Sequence, residues 1–433
     1  MKILYLAQRL PYPPNRGDRI PTFNHIRFLS LSHEVHVASL LESELEEEYV
    51  AKLQDWAESV TAEMQSLLNR GIGMVWALLT GRPLSLGHFN NTRFHKRVHK
   101  LIEDEGIEAV VVFSSSMAQY VEAFPSLTRV MNFCDMDSQK WVDLSHHAGF
   151  FRKWIYRREA RLLLEYERFV ARTFSASCVV TESEADLFRE LIPGIEISVV
   201  ANGVESERFA ECARVPAACE LTFVGMMDYG PNIEAVGFFV EYIWPKIRKR
   251  HPEARFNIVG ARPTREVKAL AATPGVTVTG FVNDVRDFLA TSTLVVVPLK
   301  VARGIQNKIL EAMAAGAPVL TTPVAAKGLS EGARHTLFIE SREDPHVFLE
   351  AVLRLLSEPS ALRTRAQAAQ EFVRAHYSWE SNVDILEALL TDPRRPAAAE
   401  VPAPGRIKSA AGVSEPASGS PPPRATPPGK PAA

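Results

Sequence analysis

Residues 294–320 read LVVVPLKVARGIQNKILEAMAAGAPVL, and this stretch decides the fold. The continuous apolar run Leu294–Val297 predicts a strand that is buried on both faces, and a second such run begins at Pro318. Between them, apolar residues recur at helical spacing after Gly304 and stop at Gly316, which predicts a loop followed by a helix. A strand, a loop, a helix and a second strand in this order form the repeating unit of a parallel α/β sheet.

The same alternation of apolar runs and helical stretches extends through both halves of the chain. The runs predict strands at Lys2–Leu6, Val35–Leu40, Ala109–Phe113, Arg129–Phe133, Cys178–Thr181, Ile197–Val200, Leu221–Val224, Arg255–Val259, Val276–Thr279, Leu294–Val297, Pro318–Thr321 and Thr336–Ile339. The two successive series predict an α/β fold with two Rossmann-like, doubly wound domains that face a central cleft. Ligands of such sheets bind at the carboxyl ends of the strands, so the cleft is the expected site.

Turn signals and composition divide the chain into domains. Asn202-Gly203 is a turn signal directly after a predicted strand, so we expect one domain at 1–201 and another at 202–377. A last helix within 378–391 is expected to pack back on the first domain. Residues 392–433 are dominated by Pro, Ala, Gly and Ser, and we expect this tail to be disordered.

The global composition argues against several classes of protein. A net charge of −2 and a pI of about 6.7 give no indication of nucleic-acid binding. No apolar stretch reaches the roughly 18 residues that a membrane span needs, and the apolar N-terminal segment is too short for a signal peptide. Four cysteines without a Cys-x-x-Cys pair argue against a zinc site and fit a reducing cytoplasm.

The helix that follows Gly304 carries the groups expected to bind a ligand. Gly304 lets the backbone approach a ligand closely, and the free N–H groups of a helix N-terminus suit a phosphate. About two turns into the helix, Glu311 could accept hydrogen bonds from both hydroxyls of a ribose. The alternative is that Glu311 only pairs with Lys308, three positions earlier, on a solvated face.

The segment Glu311–Val319, EAMAAGAPV, resembles the nucleotide-sugar signature of glycosyltransferase family 4. Shorter pieces are similar in the same order along residues 1–390, namely Thr181–Glu184, Asn202–Glu205, Phe223–Gly225, Ile258–Gly260 and Gly280–Val282. A closer similarity is to the sugar transferases associated with exosortase (PEP-CTERM) exopolysaccharide systems. It rests on Asp135–Trp141, Met227–Asn232 and Arg303–Lys308.

This resemblance implies a GT-B fold in which the second domain binds a nucleotide diphosphate sugar and the first binds the acceptor. It implies no metal and no other cofactor, and retention at the anomeric carbon, with the leaving phosphate helping to deprotonate the acceptor. Glu311 would bind the donor ribose, the amides of Gly304 and Ile305 would lie near the diphosphate or sugar, and Phe281 and Val282 would border the base. The remaining donor-side residues would be Gly17, Ser183, Gly225, Arg303 and Lys308.

Arg303 stands where family members carry the first glutamate of their signature. The basic residues that often follow the Phe-Val-Gly strand are replaced by Met226 and Pro231. Because a shielded diphosphate needs a cation, Arg303 and Lys308 are the candidates, and Arg303 is also a candidate catalytic residue. The alternative is that Arg303 forms a salt bridge with a surface carboxylate.

Two segments of the first half are candidates for the acceptor side. The loop with Arg16, Gly17, Asp18 and Arg19 follows the first strand, where it could border both ligands or simply form a rigid proline-rich connection. Asp135-Met136-Asp137 has the Asp-x-Asp form of metal-dependent transferases. It could bind a metal, cap the next helix through Asp137 or Ser138, or place Asp135 near the acceptor as a catalytic group.

Aromatic and basic residues of the first half could form a peripheral membrane contact. They lie at Phe150–Arg161, Arg93–Lys100 and the apolar segment Ile72–Leu79. Such a patch would meet anionic lipid and suit a lipid-linked acceptor, whereas the alternative is a solvated helix with internal ion pairs.

We therefore predict a cytoplasmic glycosyltransferase that makes an exopolysaccharide or another cell-surface glycan, with a glycan or lipid-linked acceptor. The alternatives are a GT-B epimerase or hydrolase of sugar nucleotides and a non-catalytic subunit that binds them.

Overall fold

The computed structural model describes residues 1–392, apart from His147, Cys212, Ala213 and Arg303. The predictions for the tail beyond residue 392 and for Arg303 lie outside the described residues.

The first domain is built on a parallel sheet whose central strands are buried on both faces. In the described residues these strands are β1 Lys2–Ala7, β2 Glu34–Leu41, β3 Ser59–Met64, β4 Ala109–Phe113, β5 Thr128–Cys134, β6 Ala176–Val179 and β7 Ser198–Val199. Their order is β3-β2-β1-β4-β5-β6-β7. Leu4 and Leu6 pack in one hydrophobic cluster and Ile3 and Tyr5 in another, because successive side chains point to opposite faces of the sheet.

The second domain repeats this arrangement. Its described strands are β8 Glu220–Val224, β9 Arg255–Val259, β10 Val276–Gly280, β11 Leu294–Val297, β12 Val319–Thr321 and β13 Phe338–Ile339. They are parallel in the order β10-β9-β8-β11-β12-β13. The prediction of two doubly wound α/β domains is confirmed, and both sheets begin with the same 3-2-1-4-5-6 order.

Helices cover both sheets. Those up to residue 191 are α1 Arg19–Leu29, α2 Glu47–Leu53, α3 Leu67–Leu79, α4 Leu84–His88, α5 Thr92–Glu105, α6 Asp137–His146, α7 Phe150–Thr173 and α8 Glu182–Leu191. Those beyond are α9 Ser206–Ala210, α10 Gly230–Phe238, α11 Trp244–Arg250, α12 Arg265–Ala269, α13 Arg286–Thr291, α14 Asn307–Ala314, α15 Pro323–Ala326, α16 Glu331–His335, α17 Pro345–Leu356, α18 Pro359–His376 and α19 Trp379–Thr391. Short 3₁₀ turns lie at Glu44–Glu46, Ser115–Tyr120 and Leu270–Ala272, and a π turn lies at Phe239–Ile243. No helix in this part of the chain is long and apolar enough to cross a membrane.

The strand order fixes where ligands can bind. In each sheet the order reverses between the first and fourth strands, β1 and β4 in one and β8 and β11 in the other. Ligands of open α/β sheets bind at the carboxyl side of this switch point. The loops that begin at Gln8, Ser114, Gly225 and Pro298 therefore lie at the expected sites.

Two elements differ from the sequence predictions. Strand β3 was not predicted because all of its side chains are only half-buried, so it lacks a continuous apolar run. Helix α14 begins at Asn307 and not directly behind Gly304. Gly304 has a φ of +59°, so it belongs to a loop that turns before the helix starts.

The chain passes twice between the domains, and the two passages lie side by side. The Val204 amide donates to the Tyr377 carbonyl at 2.8 Å, and Gly203 packs against Trp379. Beyond this point α19 places Val383, Leu386 and Leu390 in the core of the first domain.

Candidate active site

A cavity of about 490 Å³ opens between the two domains. Helix α1 supplies one wall, and the loop after β10 and helix α14 supply the other. The lining side chains include Phe23, Asn24, Arg27, Trp56, Glu205, Arg208, Val282, Asp284, Asn307 and Glu311. The helix that the sequence singled out therefore faces the space between the sheets.

Glu311 lies on α14 in the wall of this cavity. The opposite face of the helix buries Ile309, Ala312 and Met313 in the core of the second domain, which fixes the direction of the carboxylate. Within the described residues, the Glu311 side chain has no hydrogen-bond partner. Burial raises its pKa, and the nearby Lys308 ammonium opposes that shift.

Lys308 does not form the simple surface pair with Glu311 that the alternative interpretation required. Its Nζ donates to Asn232 Oδ1 at 2.6 Å and lies 5.0 Å from the centre of the Phe223 ring. Burial lowers the pKa of Lys308 to about 8, and Glu311 only partly offsets this effect. No carboxylate of the described residues lies within ion-pair distance of Nζ.

Asn232 connects Lys308 to the loop that follows β8. Its Nδ2 donates to the Met226 carbonyl at 2.9 Å. A Cβ on Gly225 would lie 2.7 Å from that nitrogen, so only glycine permits this approach. The loop after β8 and the start of α14 are thereby held together at the switch point.

Gly304 of the second domain lies close to the acidic segment of the first. A Cβ on Gly304 would lie 3.7 Å from Asp135 Oδ1, and one on Gly328 would lie 2.1 Å from the Gly304 carbonyl oxygen. Ile305 packs against the core of the second domain, which anchors the loop. Arg303, predicted to bind phosphate, lies outside the described residues.

Lys140 lies between the two aspartates of the Asp-x-Asp segment. Its Nζ is 3.1 Å from Asp135 Oδ2 and 2.8 Å from Asp137 Oδ1, and these carboxylates raise the pKa of the ammonium. Ser115 Oγ also donates to Asp137 at 3.3 Å. The ammonium therefore takes the position that a metal between the carboxylates would need.

The start of α6 is capped by carboxylates of other helices. The Met136 amide donates to Glu184 at 3.0 Å and the Ser138 amide to Glu167 at 3.1 Å. The pKa of the buried Glu167 rises to about 8, because burial and the nearby Asp137 disfavour its charged form. Among the described residues these contacts, and not the side chains of Asp137 or Ser138, satisfy the helix start.

Cys219, His251 and Glu253 form the one described group of side chains close enough to share a metal ion. They lie before β8 and β9, at the edge of the sheet opposite to Gly304.

The loop after β1 is held by ion pairs. Arg9 donates to Asp18 at 2.8 Å, and Arg16 lies 3.6 Å from the same carboxylate. Gly17 is exposed, and a Cβ there would meet no atom within 4 Å. Arg19 differs from the prediction of an acceptor contact, because it is buried and forms an ion pair with Glu46 inside the first domain.

The remaining predicted donor residues differ in their positions relative to the cavity. Val282 lines the cavity, whereas the Phe281 ring is 75% exposed beside it. Ser183 lies at the start of α8, where its hydroxyl is 3.0 Å from that of Thr181.

Sequence reasoning missed several cavity residues of the first domain and of the interdomain linker. Arg27 on α1 donates to Glu205 of the linker, and Arg208 donates to the same carboxylate at 3.1 Å. Trp56 follows α2 and stacks on Tyr12. These residues come from separate elements and form no local motif, so only the fold brings them together.

Three comparisons place this geometry among known proteins. Residues 218–358 match the family model described as glycosyl transferases group 1. The chain is 24% identical over 323 residues to glycogen synthase of Mycobacterium tuberculosis, covering 71% of this chain and 73% of that enzyme. The chain is a glycosyltransferase.

Solved structures show that its fold is GT-B. Sucrose-phosphate synthase from Thermosynechococcus elongatus superposes with a TM-score of 0.63 at 13% identity, covering 90% of this chain and 98% of that one. HepE from Anabaena, solved in complex with UDP, superposes with a TM-score of 0.62 at 14% identity, covering 90% and 99%.

Proposed function

We propose that this glycosyltransferase moves a sugar from a nucleoside diphosphate donor to an acceptor hydroxyl, with retention at the anomeric carbon. We propose further that it is similar to the family 4 enzymes of exosortase-type exopolysaccharide systems and works in cell-surface glycan synthesis. The second domain, 202–377, would bind the donor, and the first, 1–201 with helix 378–391, would bind the acceptor.

One observation carries the donor assignment. The Glu311 carboxylate stands in the interdomain cavity without a protein hydrogen-bond partner among the described residues, on the same helix as a partly desolvated Lys308. A carboxylate that has lost water needs donors, and the two hydroxyls of a ribose supply them. The neighbouring ammonium suits the diphosphate attached to that ribose. UDP in the HepE structure agrees with a ligand of this class.

The loops at the switch point would hold the diphosphate and the transferred sugar. Gly304 and Ile305 offer backbone amides beside Lys308, and Arg303 remains a predicted second cation. Gly225 lets the loop after β8 come close to this group. Val282 and Phe281 at the carboxyl end of β10 would border the base, and Ser183 and Gly17 would face the donor from the first domain.

Asp135 would act at the acceptor hydroxyl. It lies across the cleft from Gly304 and is held by Lys140, so its carboxylate is fixed where the two domains meet. Asp18 and Arg16 would line the acceptor side further out. In a retaining transfer the C–O bond to the leaving phosphate breaks as the acceptor oxygen bonds to the anomeric carbon on the same face. The acceptor proton then passes to the leaving phosphate oxygen.

The first domain also carries a surface suited to a membrane. We call it the apolar patch, formed by α3 and the start of α7, where Leu79 and Phe151 are each 82% exposed. Arg158 of α7 donates to the Arg82 carbonyl after α3, which joins the two helices. Apolar side chains flanked by Arg152 and Lys153 favour the interface of an anionic leaflet, so we propose peripheral binding at the cytoplasmic membrane face.

Donor binding by Glu311→Gln tests the proposal. The neutral amide keeps the shape but weakens bonds to two hydroxyls, so the affinity for the preferred nucleoside diphosphate sugar should fall about 10- to 100-fold. Calorimetric titration of uridine, guanosine, adenosine and thymidine diphosphate sugars would identify that donor. Glu350→Gln on the exposed face of α17 is the matched control and should bind as the parent does.

Donor turnover with and without acceptor tests the reaction itself. Transfer requires release of nucleoside diphosphate to depend on the acceptor. Release or isomerisation at an equal rate without acceptor would instead indicate a hydrolase or epimerase.

A further inference from the structure

A group of arginines lies on the acceptor side of the first domain, and the roles proposed above use Arg16 alone of its members. Arg9 follows β1, Arg70 lies in the first turns of α3, and Arg16 comes from the loop between β1 and α1. All three converge on Glu42, which follows β2, at 2.8, 4.0 and 3.4 Å respectively. We call these residues the arginine cluster.

The cluster carries more positive than negative charge. Its three guanidiniums face two carboxylates, Asp18 and Glu42, whereas the neighbouring Arg19 and Glu46 neutralise each other. The electrostatic field of the arginine cluster also acts on His88, at the end of α4. Burial and the cations Arg70 and Arg9 lower the pKa of this histidine, with Glu42 opposing them.

Arg70 is the member of the cluster with an unsatisfied buried donor. Its side chain is only 21% exposed, and its contact with Glu42 at 4.0 Å is too long for a hydrogen bond. Nε is buried without a hydrogen-bond partner, and no other side-chain bond of Arg70 occurs in the described part of the chain. A buried guanidinium N–H without an acceptor costs free energy, which an anion bound at Arg70 would offset.

Hydrogen bonds connect the cluster to the reacting end of the acceptor side. Arg9 donates to Gln8 Oε1 at 3.5 Å, and Gln8 Nε2 donates to Ser116 Oγ at 2.9 Å and Ser114 Oγ at 3.4 Å. Ser114 in turn donates to Asp137, which shares Lys140 with Asp135. One acceptor molecule could therefore reach from Asp135 to the arginines.

The apolar patch begins on the helix that carries Arg70. Ile72, Val75 and Leu79 of α3 are each more than half exposed. If the anionic group of an acceptor bound Arg70, the part of the acceptor attached beyond that group would lie against these side chains. A hydrocarbon chain is the chemistry that such a surface favours.

We propose that Arg9, Arg16 and Arg70 bind the phosphate or diphosphate of a lipid-linked acceptor, with the lipid chain against α3 and the sugar toward Asp135. This inference rests on the proposed function and names the class of acceptor. It assigns Arg70 to substrate binding, because the buried Nε of this side chain lacks a hydrogen-bond acceptor among the described residues.

Binding of two diphosphates to parent and Arg70→Gln protein tests the inference. The probes are farnesyl diphosphate and inorganic diphosphate, each titrated while the donor site is saturated with the preferred nucleoside diphosphate. The parent should bind farnesyl diphosphate at least tenfold more tightly than inorganic diphosphate, and Arg70→Gln should weaken both at least tenfold. Lys100→Gln on the exposed face of α5 should change neither.

Two other binding results would contradict the proposed acceptor site. Equal affinity of the two probes would refute the lipid chain, and unchanged binding by Arg70→Gln would refute the anion site. The nucleoside diphosphate titration reports separately on the proposed donor site, so failure there would not be mistaken for failure here.

The melting temperature separates a binding role from a structural one. Because Arg70 makes no side-chain hydrogen bond to the described protein and lies near Arg9, its replacement should leave the melting temperature unchanged or raised. A structural role would lower it and would refute the assignment.

Discussion

The Lys308 side chain is positioned for ligand binding at a place where its ammonium group loses much of its hydration. Its ammonium is held by one neutral hydrogen bond and one aromatic face, and no described carboxylate is close enough to pair with it. The pKa therefore falls to about 8 from the ordinary 10.5. A diphosphate beside it would restore the charge, so donor binding should be coupled to uptake of a proton.

This coupling predicts the pH dependence of donor affinity. Below about pH 8 the ammonium is present in the free protein, so affinity should be flat, and above it affinity should fall up to tenfold per pH unit. Lys308→Arg stays charged and should remove the fall. Calorimetric titration of the donor sugar between pH 7 and about 9.5 measures both profiles, and parallel profiles would exclude Lys308 from the diphosphate site.

Stability should respond to the same group with the opposite sign. The folded pKa lies below the unfolded one, so the unfolded chain binds more protons between them. The contribution of Lys308 to the free energy of unfolding therefore rises as pH increases from about 8 to 10.5.

The sequence predicted the place in the fold of the candidate residues that lie within one motif. Gly304 and Glu311 follow a buried strand at fixed spacing, so their place at the switch point could be inferred. The role of Arg70 could not, because its partner Glu42 lies on another element that only the folded sheet brings close. The burial of Arg19 could not be predicted for the same reason, since nothing local indicated its pairing with Glu46.

At the scale of elements, the apolar patch depends on close packing between α3 and α4. A Cβ on Gly73 would lie 2.0 Å from the Gly87 carbonyl oxygen, and one on Gly87 would lie 2.3 Å from the Gly73 carbonyl oxygen. The two glycines let the helices touch backbone to backbone. Helix α3 consequently buries only this narrow face and presents its large apolar side chains outward.

Gly73→Ala should separate these helices. The added methyl group has no room, so the free energy of unfolding should fall by about 1–3 kcal/mol, and binding to vesicles of anionic phospholipid should weaken. Gly71→Ala is the matched control on the same helix, because its Cβ would meet no atom within 4 Å. It should raise stability by up to about 1 kcal/mol through helix propensity. Chemical denaturation and vesicle sedimentation measure both, and equal behaviour of the variants would contradict the packing argument.

Strand β3 marks the limit of pattern reading at this scale. Its residues SVTAEM are half-buried throughout, because the strand lies at the edge of the sheet and pairs only with β2. Continuous apolar runs indicate strands that are covered on both faces, and β3 contains no such run. For the following helix α3 the sequence indicates only an apolar segment, because the exposure of its side chains depends on the folded surface.

For the whole molecule, the repeated strand order explains why there is one cleft. Each sheet offers its switch point at the carboxyl edge, and the two edges face the cavity that Glu311 and Asn24 line from opposite domains. This arrangement was predictable from two series of buried strands. The connection between the domains was not predictable. It depends on packing between Gly203 and Trp379, whose residue numbers differ by 176.

The paired passages suggest how an alteration in the connection between the domains would affect transfer. A Cβ on Gly203 would lie 2.6 Å from the Trp379 amide nitrogen, so Gly203→Ala must push the passages apart. Most of the proposed donor contacts lie within the second domain, so nucleoside diphosphate affinity should stay within about twofold. The transfer rate, which needs Asp135 and Gly304 in register, should fall about tenfold or more, because misplacement by an ångström is costly in catalysis. Gly237→Ala on α10 has open space and should change neither quantity. Measurement of kcat and of the nucleoside diphosphate Kd for each variant tests this prediction. If Gly203→Ala lost as much affinity as rate, the damage would lie in the donor domain. That result would refute the proposal that these passages set the register of the two domains.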